Sequence, residues 1–141
     1  MQEIKIITFN GLEHLKMGKP ANTEQRKWME DITGYINENG LGDLYGCEYI
    51  YDTRIQRHHV LGRSAKHNKV SIGHWFIIPV PFELHDPNVN HAFHVGKCKK
   101  AFVSRFGTQR SLFKRMYQEM KQQGYKVPSS DIYDAIMSTN A

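Results

Sequence analysis

The alternation of apolar and polar residues divides the chain into a strand-rich first half and a helical second half. The stretch EIKIITF is β-branched and aromatic with rough alternation, which predicts a strand over Glu3–Phe9. GLEHLKMGKPANT carries breakers and reads as loop. A helix follows from about Thr23 to Asn37: Asn22 and Gln25 have the spacing of a capping box, and Trp28, Met29, Ile32, Tyr35 and Ile36 share one helical face. NENGLGDLYG ends it. CEYIYD and RIQRHHV look extended and predict one interrupted strand or a hairpin, LGRSAKHNKVSIG a polar loop, and HWFIIPV a short apolar strand. Pro81 suits the first turn of a short helix carrying Glu83 to His85, where its missing N–H costs nothing.

Three helices close the chain. KCKKAFVSRF ends at Gly107. TQRSLFKRMYQEMKQQ has Thr108 as its N-cap, stops at Gly124, and places Leu112, Phe113, Met116, Tyr117 and Met120 on one face. SSDIYDAIM has a Ser cap and pairs Ile132 and Tyr133 with Ile136 and Met137. These stripes are core positions. With no repeat or linker, 141 residues make one α+β domain.

Composition narrows the setting. No apolar run is long enough for a transmembrane helix, and MQEIKIITFN lacks the layout of a signal peptide. Cys47 and Cys98 form neither a disulfide framework nor a CxxC knuckle, as expected of idle thiols in a cytoplasmic protein. The net charge of +5 is unevenly spread. Residues 1–96 hold ten Lys and Arg against eleven Asp and Glu, whereas residues 97–126 hold nine against Glu119 alone. That stretch suits a solvated helix surface or a phosphate-contacting one, with Lys97, Lys99 and Lys100 at its start.

Histidine placement is the stronger signal. Seven of the eight His lie between His58 and His94, and His14 reads as a surface residue. Neighbouring strand residues point to opposite faces. At a strand end or bulge, however, His58 and His59 can line one cleft, one holding a metal and the other taking a proton from water. His85 returns after a strand and a proline turn, so His58 and His85 can converge on a shared metal, with His91, His94 or Asp86 as third ligand and open positions for water and phosphate. Asp86 also fits as an outer partner of the site or a helix-start charge. Arg57 and Arg63 could hold a phosphate, and Lys66, His67, Asn68 and Lys69 could touch a nucleic-acid backbone.

The segment HHVLGRSAKHNKVSIGHWFIIPVPFELHD resembles the HNH, or ββα-metal, endonuclease module. It is most similar to the recombination-enhancement (Ref) family of phage RecA-dependent nucleases, through HHVLGR, the IGH step and IPVPFELHD at the helix entry. The resemblance covers about 30 residues, or about 50 with the tail HVGKCKKAFVSRFG. It implies a metal-dependent DNA endonuclease in phage or prophage recombination, within a bacterial host cell. His58 and His85 would be metal ligands, His59 the general base and His74 the loop-bracing middle residue that orients it. The tail, similar to that of phage HNH proteins, makes His94 the third ligand. Magnesium or manganese would serve in the cell and zinc in crystals. The partners implied are single- or double-stranded DNA and a RecA-type filament, with no membrane.

This sequence departs from the family at two points. Pro81 stands where a family cysteine would, so hydrophobic packing is expected in place of a structural zinc, and DPNVN separates His85 from His94. Two other readings remain open. One is a non-catalytic DNA- or recombinase-binding module with a structural metal site; the other is a structural zinc protein.

Overall fold

The computed structural model describes residues 19–46, 50 and 52–141. The strand expected at Glu3–Phe9, together with His14, Cys47 and most of CEYIYD, lies outside them. The described chain is α+β, with six helices and two small antiparallel sheets.

Helix α1 spans Thr23–Asn39. The capping box forms as its sequence predicts: Gln25 N donates to Asn22 Oδ1 at 2.8 Å, and Asn22 N donates to Gln25 Oε1 at 2.9 Å. The helix continues two residues past Asn37, until Gly40 at φ +78° turns the chain. Trp28, Ile32, Tyr35 and Ile36 are buried, and Met29 packs at the margin. A one-turn helix, α2 (Gly42–Tyr45), occupies what reads in sequence as a plain helix ending. It buries Leu44 and Tyr45.

Strand β1 (Ile55–His59) pairs antiparallel with β4 (Ile77–Pro81), with His58 opposite Ile78 and His59 opposite Ile77. All five residues of β4 are buried. Two of them, Pro79 and Pro81, cannot donate to a ladder, which suits a strand with one partner. The side chain of Tyr45 covers part of this strand, its hydroxyl donating to Pro79 O at 2.5 Å.

Between these strands the polar loop contains a two-residue hairpin. β2 (Lys66–His67) pairs with β3 (Val70–Ser71). Asn68 and Lys69 form the connection, with φ of 51° and 66°. The apolar run HWFIIPV becomes strand only from Ile77. Residues 72–76 instead make a turn, with Trp75 N and Phe76 N both donating to Ile72 O. The turn points Trp75 O at the α1 indole, and Trp28 Nε1 donates to it at 3.0 Å.

Helix α3 (Phe82–His85) follows β4 directly, with Pro81 one position earlier than expected, at the N-cap. Helices α4 (Lys99–Phe106), α5 (Gln109–Gln122) and α6 (Ser130–Met137) complete the fold. Thr108 caps α5 by accepting from Ser111 N at 3.1 Å. All five residues of the predicted α5 stripe are buried. In α6 the most buried residues are Ala135 and Ile136, with Ile132, Tyr133 and Met137 packed at the edge. No helix among the described residues is long and apolar enough to cross a membrane.

Candidate metal and general-base centre

Two imidazole pairs flank the end of β1. Strand alternation sends His58 and His59 to opposite faces, and each meets a different partner. His58 lies against His85, with ring centroids 4.9 Å apart, and His59 lies against His74 at 5.2 Å. The single cleft expected for both neighbours is therefore replaced by two adjoining sites. β1 stays in regular register through His59, with no bulge to bring the two side chains onto one face.

In the first pair, His58 Nδ1 and His85 Nε2 are 3.1 Å apart. The other nitrogen of His85, Nδ1, meets the amide oxygen of Gln56. An amide oxygen only accepts, so His85 carries its proton on Nδ1 and presents a bare Nε2 to His58. Gln56 is in turn held by Asp86, its Nε2 donating to Asp86 Oδ2 at 3.1 Å. Gln56 is two residues from His58 on β1, so strand periodicity places both on one face. That spacing was readable in sequence, but its use was not, because His85 lies 27 positions beyond His58.

The two facing nitrogens are spaced as two ligands of one ion could be. With metal–nitrogen distances of about 2.1 Å, a 3.1 Å separation corresponds to an angle of about 95° at a shared ion, between octahedral and tetrahedral values. An outer carbonyl accepting from the second nitrogen is the usual support for a ligating imidazole. Among the described residues, no group of three His, Cys, Asp or Glu is arranged around one ion.

His94 corrects the expectation of a third ligand. Its Nδ1 accepts from Gly96 N and Lys97 N, both at 3.1 Å. Its Nε2 must then carry the proton, which it donates to Asp86 O at 3.0 Å. Both nitrogens are committed to backbone, so His94 braces the 86–97 loop and has no lone pair left for a metal. Its 4 % exposure fits that role. The alternative ligands are also engaged: His91 Nδ1 accepts from Phe93 N, and the Asp86 carboxylate accepts from Asn88 N as well as Gln56.

The second pair is a relay. His74 Nε2 donates to Lys19 O at 2.6 Å, so in neutral His74 the Nδ1 is bare. That Nδ1 lies 3.2 Å from His59 Nε2, which must be the donor. His59 is thereby held in the tautomer whose Nδ1 lone pair is free. The anchor, Lys19, lies 55 residues from His74 and carries no motif. Gly73 supports the same geometry, because a Cβ there would lie 2.0 Å from Arg63 O. The loop can close over the turn only above a glycine.

Burial keeps His58, His59 and His85 neutral. Burial, then the proximity of His85, pushes His58 down to about 4, against a smaller opposing effect of Gln109. Burial, followed by His74, Arg63 and Arg57, pushes His59 down to about 4. His85 is lowered too, by burial first and then by His94.

Beside His59 an open cleft of about 900 Å³ runs between β1 and α1, with Arg57 and Arg63 on its wall. Arg63 also borders a second hollow, of about 460 Å³, with Lys19, Lys66 and His74. Lys66 and Lys69 are exposed on the β2–β3 hairpin. The basic run 97–126 is less uniform than its sequence implies. Lys97 Nζ ties the loop to Val89 O and Asn90 Oδ1, and Arg110 holds Met137 O at the end of α6 and Thr139 O just after it. Arg115 reaches Leu44 O at 3.3 Å, and Lys126 faces Glu24. Lys99 and Lys100 remain exposed in the first turn of α4, which contains no acid. The helix dipole disfavours cations there, so local helix energetics do not account for them.

Gln109 is a further residue that motif reading does not reveal. It is 5 % exposed at the start of α5, and its Oε1 has no hydrogen-bond partner. An orphaned buried acceptor costs about 1–3 kcal/mol. No family model matches the chain, and no curated protein or solved structure shows significant similarity to it.

Proposed function

We propose that this chain is a metal-dependent endonuclease of the HNH type that hydrolyses DNA phosphodiester bonds. The observation that carries this reading is the pair of nitrogens on His58 and His85, facing each other at 3.1 Å where a β-hairpin runs into a helix. Beside them His59 is held with a free Nδ1. Hydrolysis of a phosphodiester needs both a cation site and a separate base.

In this reading His58 and His85 hold a divalent ion, magnesium or manganese in use. A bound ion would supply charge neutralisation at the phosphate and at the departing 3′ oxygen. His59 Nδ1 takes a proton from the attacking water, and its depressed basicity keeps it ready as an acceptor at neutral pH. His74 and Lys19 O keep the ring from rotating. Arg57 and Arg63 hold the phosphate backbone along the α1–β1 cleft, with Lys66, Lys69, Lys99 and Lys100 as outer contacts. The products carry 5′-phosphate and 3′-hydroxyl ends.

The test is nicking of supercoiled plasmid and single-stranded DNA with Mg²⁺, Mn²⁺ or Zn²⁺, with and without a RecA-type filament. Wild type is expected to cut, and His59→Ala to lose at least 100-fold in rate, on the order of a positioned base's contribution, while still binding DNA. A wild type that binds DNA but cuts nothing under any of these conditions would mark the chain as a binding module.

A further inference from the structure

Resting on the reading of DNA as substrate, we propose that the hollow between Lys19 and the β2–β3 hairpin is a second phosphate subsite. It holds the backbone phosphate next to the one beside His59 on the same strand. Arg63 stands between the two phosphates.

The charge pattern leads to this assignment. Lys19, Arg63 and Lys66 line the hollow together with Ser64 and Ser71, and no acidic residue does. None of the three cations has a carboxylate partner among the described residues. A space of about 460 Å³ is roughly 10 Å across, so these charges repel one another over a distance that salt screens only in part. A phosphate there offsets the repulsion and accepts charge-assisted hydrogen bonds, with the two serine hydroxyls as neutral donors. The start of α1 does not carry the argument, because Asn22 and Gln25 already cap each other.

The hollow is preformed on two sides. Ile72 N and Gly73 N close its loop onto Ala65 O at 2.9 and 3.1 Å, and His74 Nε2 holds Lys19 O at 2.6 Å. The residue that brings one of the charges therefore also anchors the His74–His59 relay. Arg63 decides the source of the phosphate, since it lines both this hollow and the cleft beside His59. Two separate phosphate ions flanking one guanidinium repel each other, whereas consecutive phosphates of one strand are held together by the sugar between them.

The experiment measures binding in EDTA at low salt, so that no cutting intervenes. The dinucleotide TpT, with one phosphate, the trinucleotide TpTpT, with two, and inorganic phosphate are titrated while amide resonances are followed. The proteins are wild type, Lys19→Gln/Lys66→Gln and the control Lys99→Gln/Lys100→Gln; all four lysines are exposed, so the fold is retained. Wild type and the control are expected to bind TpTpT about 10-fold more tightly than TpT, and Lys19→Gln/Lys66→Gln to keep only the about twofold gain from the extra register. In wild type TpTpT also moves the Ser64 and Ser71 resonances. A TpTpT gain that survives in Lys19→Gln/Lys66→Gln overturns the subsite, whether or not the chain nicks plasmid. Inorganic phosphate that moves Ser64 and Ser71 as far as TpTpT does, with no gain from the second linkage, marks a free-phosphate site and overturns the strand assignment. A wild type that binds neither oligonucleotide overturns the subsite together with the DNA reading. The expected gain in a chain that cuts nothing supports the subsite and removes only the nuclease.

Discussion

Replacing Gly73 with Ala tests whether the turn before β4 sets the geometry of the relay. The added Cβ would sit 2.0 Å from Arg63 O, 2.4 Å from Arg63 C and 2.6 Å from Gly62 O. All three atoms are backbone, so no side chain can swing aside. Reaching ordinary contact requires the 62–63 segment to retreat by more than about 1 Å. That retreat strains the two bonds that close the loop, Ile72 N and Gly73 N to Ala65 O at 2.9 and 3.1 Å. Overpacking of this kind costs about 1–3 kcal/mol, and weakening two hydrogen bonds adds about 1 kcal/mol. The expected loss is about 2–4 kcal/mol in urea unfolding at neutral pH. Gly124→Ala is the control: φ is +94° there and no described atom lies within 4 Å of the new Cβ, so only the left-handed backbone is strained, by about 1 kcal/mol. The His59 and His74 ring resonances should shift in Gly73→Ala and stay in place in Gly124→Ala. A Gly73→Ala loss no larger than that of Gly124→Ala, with unmoved His59 resonances, would refute the argument.

Two further outcomes are expected. His58 and His59 are held near 4, below the ordinary 6.5, so the unfolded chain takes up protons first on acidification. Their stabilisation is complete above about pH 6.5 and is lost as pH falls toward 4, by roughly 2 kcal/mol together after screening by solvent, which urea unfolding across that range would measure. In the β2–β3 connection, Lys69 holds φ +66°, a conformation glycine adopts without strain. Lys69→Gly should therefore raise stability by about 0.5 kcal/mol while lowering the salt dependence of DNA binding by about one charge, measured by anisotropy at several salt concentrations.

Periodicity and capping chemistry carried most of the helical framework. The Asn22–Gln25 box, the Thr108 cap and the α5 stripe depend on neighbours within about one turn, so local sequence specifies them. The His58–His85 convergence was legible for a related reason: a strand, a proline turn and a short helix leave few ways to place the second histidine. The limits lie in contacts between distant positions. Nothing local to α2 indicates that Tyr45 reaches Pro79, and the turn at 72–76 is imposed by packing that overrides an apolar run able to extend. Spacing cannot show that the two nitrogens of His94 are taken by Gly96, Lys97 and Asp86. Residue type announced the imidazoles, whereas the direction of each lone pair came from partners such as Lys19 and Gln56. A histidine's chemistry depends on which nitrogen bears the proton, and that is decided by whatever the fold places against the other.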